Sequence, residues 1–154
     1  MRFTTPLVAV LLSLAAAIAP AQMPPSYGQQ PTPLVVMQAW VRATPPGGTV
    51  TAAYVSVRNG GTRPLVILSA TSPVARRMSI HESTMSGTGV EMRPRPMITI
   101  APGGMFSMKP NGVHLMLEDL KRPLLPGQSV PIVLVLADGE TVPVNAVVRP
   151  LSAM

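Results

Sequence analysis

The stretch "VLADGETV", residues 135–142, sets the fold class. Apolar or alternating runs, 128–137 and 141–148, flank a tight polar turn, and Asp138-Gly139 suits the type I′ turn of a two-residue β-hairpin. The same grammar extends outward along the chain. Further runs at 34–43, 51–58, 63–70, 74–81, 90–93, 96–100, 104–108 and 113–118 are separated by "TPPGG", "RNGG", "MSGTG", "APGG", "KPNG" and "LPGQ". Short strands at regular spacing with Gly, Pro and Asn turns predict an all-β sandwich or barrel. Proline is frequent, at 19 residues, and no long segment has helical periodicity, so helix is expected to be scarce.

The ends of the 154-residue chain read differently from its body. "MRFTTPLVAVLLSLAAAIAPAQ" has a basic residue at Arg2, an apolar run from Leu7 to Ile18, and Ala19-Pro20-Ala21. This is the pattern of a secretory signal peptide over 1–21, with cleavage expected after Ala21. The apolar run is short for a spanning helix, which needs roughly 20 residues, so a retained anchor is the second reading. Residues 22–33, rich in Pro, Gln and Gly, read as a flexible leader. The folded domain is then expected over 34–150, with 151–154 as a tail.

An exported chain without cysteine has neither disulfides nor thiolate chemistry, so its stability must come from a hydrophobic core. The formal charge of +6 is scattered along the sequence, and the chain has few aromatics: one Trp, two Tyr and two Phe. Nucleic-acid binding would call for a basic stripe with aromatic platforms, so the charge reads as a solvated surface that helps the protein meet an acidic partner.

The only two histidines, His81 and His114, both have methionines nearby, in "MSIHESTMSGTGVEMR" (78–93) and "VHLML" (113–117). On a strand over 113–118, Val113, Leu115 and Leu117 take the core face, and His114 and Met116 project together from the other, partly exposed. Ile80-His81 is expected to end one strand and Val90-Glu91-Met92 to begin the next, so the intervening loop "ESTMSGTG" brings His81 and Met92 together at its base. Two imidazoles and two thioethers suit neither zinc, which prefers thiolate, imidazole or carboxylate, nor calcium or magnesium, which take oxygen. Soft thioethers with imidazole favour Cu(I). A strand methionine more often fills a core, and Met37, Met97 and Met105 are assigned to core or loop packing. Met78 could take either face. Met85 and Met108, in or near loops close to the proposed site, are candidates for auxiliary metal contact with packing as the favoured reading.

The spacing of His81, Met92, His114 and Met116 is H-x10-M-x21-H-x-M. With "AWVRATPPGG", "VRNGG", "SPVARRMSIHES", "GVEM", "APGGMFSMKPNGVHLML" and "LKRPLLPGQSVPIVL", it resembles the periplasmic PCu(A)C copper chaperone family from about Val35 to Arg149. The resemblance implies a cupredoxin-like Greek-key β-barrel binding one Cu(I) per monomer through His81, Met92, His114 and Met116. It also implies delivery of that copper to the CuA site of cytochrome c oxidase or to another copper-insertion factor, from a soluble periplasmic protein meeting a membrane-bound acceptor. Two features depart from the pattern. Glu118 and Asp119 follow "HLML" where relatives often have methionine and glycine. The terminus "VVRPLSAM" also lacks the His- and Met-rich tail that holds Cu(II) in some relatives.

Other functions fit the residues less well. A blue-copper electron carrier requires a Cys ligand, and no nucleophile–base–orienter set accompanies the histidines, so no enzyme is expected. Two alternatives stay open: a periplasmic copper buffer for tolerance that uses the same site, and a metal-free exported β-sandwich binding module. Trp40 and nearby arginines are candidates for a docking face, and a monomer is expected.

Overall fold

The computed structural model describes residues 32–87 and 89–152; the predicted signal peptide and nearly all of the predicted leader lie outside the described residues. Ten strands and no helix make up the described residues: β1 Leu34–Arg42, β2 Thr51–Asn59, β3 Leu65–Thr71, β4 Ala75–Ser86, β5 Gly89–Pro94, β6 Ile98–Ile100, β7 Met105–Ser107, β8 Val113–Leu120, β9 Ser129–Leu136 and β10 Thr141–Arg149. Each overlaps one of the runs read from the sequence, and β4 continues five residues beyond its run. They form one sheet in the order β5-β4-β8-β2-β1-β10-β9-β3-β6, with β7 also pairing β2. The sheet folds over on itself as an open barrel or sandwich, the all-β architecture expected.

Alternation builds the core. β9 buries Val130, Ile132, Leu134 and Leu136, and β10 buries Val142, Val144, Ala146 and Val148, with the intervening residues of β10 turned outward. Val41, Val55, Val57, Ile67, Ile98, Leu115 and Leu117 fill the same interior. Among the described residues Asn59 is the most deeply buried polar one. Its amide donates to the carbonyls of Arg63 (2.7 Å) and Ile100 (3.0 Å) and accepts from the Gly61 N–H (2.9 Å), tying the end of β2 to the loop before β3 and to β6.

Two local expectations are corrected. The 136–140 turn is not type I′, because only Gly139 has positive φ (+86°) and type I′ needs two such residues. Gly139 N–H instead bonds the Leu136 carbonyl, Leu136 N–H bonds the Glu140 carbonyl, and the Asp138 carboxylate accepts from Glu140 N–H, giving a three-residue loop. In β1 a bulge between Val36 and Gln38 interrupts the alternation. Met37 sits there and is exposed rather than packed.

Candidate metal centre

Strand register brings the four predicted donors onto one face. His81 lies directly opposite His114 across the β4–β8 ladder, and Ser79 lies opposite Met116. Across β4–β5, Ser83 lies opposite Met92. Across β2–β8, Met116 lies opposite Ala52. Cross-strand partners share a face and residues two apart on a strand share a face, so His81, Met92, His114 and Met116 all point away from the side that buries Ile80, Leu115 and Leu117. The two imidazole centroids are 6.1 Å apart.

The connection between the histidine and methionine of the first pair differs from expectation. β4 runs on to Ser86 and β5 starts at Gly89, so most of the expected loop is ladder, and His81 and Met92 are diagonal neighbours within a hairpin. Polar Ser and Thr on a two-stranded arm read as loop in sequence, yet they are acceptable on a solvated strand. His114 is also not partly exposed. It is only 4% accessible, because the ring lies against neighbours on its own face.

Hydrogen bonding sets the ring nitrogens. His114 Nδ1 is 3.0 Å from the Gly112 carbonyl, which can only accept, so Nδ1 carries the proton and Nε2 is left with its lone pair. That carbonyl also accepts from Ser83 N–H (3.1 Å), and Asn111, in the left-handed region at φ +60°, forms the turn that presents it. In His81, Nε2 lies 3.1 Å from Ser79 Oγ, while Nδ1 is buried with no partner among the described residues. A buried ring nitrogen without a hydrogen bond is costly, and a soft cation would relieve that cost. Among the described residues no group of three or more His, Cys, Asp or Glu could hold a metal, so a metal here would depend on the thioethers. The donor set therefore fits Cu(I) and no common hard cation.

A ring stack backs this face. Tyr54 lies 6.3 Å from His114 and 4.3 Å from Trp40, and the Arg149 guanidinium sits 5.1 Å over the Trp40 ring. Trp40 is buried in this stack rather than offered for docking. Burial pushes the Tyr54 hydroxyl above its ordinary pKa, with the Arg42 charge pulling the other way. A cavity of about 430 Å³ opens beside the stack, lined by Met92, His114 and Met116 with Arg42, Tyr54 and Ser83; His81 does not line it.

The remaining candidates lie elsewhere. Met97 and Met105 are exposed, Met85 lies near the end of the β4–β5 arm, and Met108 is in the core, while Met78 packs partly buried against it. Glu118 and Asp119 are occupied by Arg77 at 3.8 and 3.3 Å. Sequence reasoning missed Ser79, Ser83, Gly112 and Tyr54 as parts of the site, and named Arg42 only among the arginines near Trp40. The Ser79–His81 pair was detectable, since "SIH" on a strand places both side chains on one face.

The sequence model of the family described as "Putative lipoprotein LpqE-like" matches residues 34–148. "Putative lipoprotein Lxx21020" of Leifsonia xyli subsp. xyli is 34% identical over 157 residues, covering 99% of this chain and 91% of that protein. The solution structure of CuI-DR1885 from Deinococcus radiodurans superposes with a TM-score of 0.63 at 36% identity, covering 80% of this chain and 83% of that one. The apo PCuAC domain from PmoF1 superposes with a TM-score of 0.66, covering 77% and 94%, and at 20% identity it speaks to the fold alone.

Proposed function

The chain belongs to the LpqE-like family, and from that premise we propose that it is an exported PCuAC-type copper chaperone carrying one Cu(I) on His81, Met92, His114 and Met116. The observation that carries this reading is the register that sets His81 opposite His114 and places both thioethers on the same face. The fixed lone pair on His114 Nε2 and the unpartnered His81 Nδ1 support it. So do the copper(I) form of DR1885 and the lipoprotein name of the Leifsonia relative, the latter in favour of export. All four donors are neutral, so they hold Cu(I) without thiolate charge and yield it to a thiolate acceptor. Delivery to an apo CuA centre, or to another copper-insertion protein, is the use we assign to that property, with the periplasm as its place and a monomer as its form.

An anaerobic Cu(I) titration of the purified protein against a chromophoric chelator tests this. One equivalent bound by the parent and lost in His114→Ala/Met116→Ala is the expected result. A parent that never competes with the chelator would leave the metal-free binding module as the better reading. Transfer of the bound copper to an isolated CuA domain then separates a chaperone from a buffer.

A further inference from the structure

The cavity beside the donors has a composition that copper retention alone does not require. Among its lining residues Arg42 is the cation, and none is an acid. Among the described residues buried Arg42 Nε has no hydrogen-bond partner, and no carboxylate forms an ion pair with this side chain. The rim carries Val50, Val90 and Leu151, each about half exposed at 46–57%. Met92, the most accessible donor at 47%, lies at the same opening, whereas His114 is shut in beneath it. A soft-metal face is thus joined to an uncompensated positive charge within an apolar ring.

We propose that this cavity is the entry port for a cysteine thiolate of the copper-exchanging partner, presented on a segment with apolar flanks and guided by Arg42. The proposal rests on the copper-carrier reading above. A ligand able to displace neutral imidazole and thioether from Cu(I) must be soft and bind more strongly, which a thiolate does and a carboxylate does not. A guanidinium nearby favours the thiolate over the thiol and offsets its charge while it is bound. The partner thiol loses its proton to bulk water before it enters the cavity, and its sulfur then forms a bond to Cu(I). The exposed Met92 thioether–copper bond breaks, and the metal stays in the +1 state throughout. The apolar rim covers the flanks of the incoming segment and excludes water from the exchange.

The test is stopped-flow exchange from the Cu(I)-loaded protein to two small thiols of matched length, anionic 3-mercaptopropionate and cationic cysteamine. The rise of thiolate-to-copper absorption reports the rate. With each rate divided by that thiol's thiolate fraction at the working pH, the parent is expected to favour the anionic thiol by about tenfold, an electrostatic steering effect. Arg42→Gln should abolish the preference and Arg42→Lys should keep it. Equal rates in the parent, or an unchanged preference in Arg42→Gln, would overturn the port. A leucine-flanked cysteine peptide should also outpace a serine-flanked one, and equal rates for the two would remove the apolar rim from the proposal. A parent that retains no copper would instead defeat the carrier reading, a separate result visible before any thiol is added.

Discussion

At the scale of single residues, the two histidines are held by different means. His114 is locked by a backbone carbonyl that also caps Ser83 N–H, so its tautomer is fixed by the fold. His81 depends on one side chain, Ser79, two residues away on its own strand. With its proton on Nε2 and directed at Ser79 Oγ, His81 would present Nδ1 to the metal, whereas His114 presents Nε2. Ring-nitrogen NMR of the apo and Cu(I) forms should therefore show metal-induced shifts at opposite nitrogens of the two rings. Ser79→Ala should weaken Cu(I) binding by about 10–100-fold, the usual effect of losing a partner that orients a ligand, with stoichiometry kept. Unchanged affinity together with a shift at His81 Nε2 would mean that the ring turns over on binding and that Ser79 only caps the empty form.

At the scale of elements, period-two patterning carried most of the information. Every run bounded by Gly, Pro or Asn turns became a strand, because an outward-polar, inward-apolar ribbon can bury its side chains only by pairing. Identities within strands were readable wherever alternation was unbroken, as at Val113–Leu117. They failed at Met37, where a bulge shifts the face with no breaker in the sequence, and at 82–86, where serines and threonines hid a solvated arm. The burial of His114 was illegible because Tyr54, the ring beside it, comes from β2, far away in sequence. Asn59 shows how elements are tied by more than ladders. Asn59→Ala removes three hydrogen bonds at a fully buried position and should cost about 3 kcal/mol in chemical denaturation, with copper stoichiometry unchanged. A loss below about 0.5 kcal/mol would mean that water replaces the amide.

For the molecule as a whole, the buried phenol gives stability a pH dependence. Tyr54 has a raised pKa in the folded state, chiefly through desolvation, so the unfolded chain releases that proton first, near its ordinary value of 10.0. The contribution is fully present below that pH and is lost as pH rises through the folded value. Urea unfolding should show stability falling between pH 9 and pH 11, roughly the window around that value, and falling less steeply in Tyr54→Phe. Identical slopes for the two would place the alkaline loss elsewhere. The strand order has a further consequence, one concerned with time. β1 and β10 are neighbours at the middle of the sheet and pair in parallel, Trp40 beside Val147 and Arg42 beside Arg149. The first strand made therefore waits for the last before its second edge is filled, and the half of the sheet beyond β10 can join the rest only after that. While β10 is still inside a ribosome β1 keeps one open edge, so the two halves of the sheet join only once β10 has emerged.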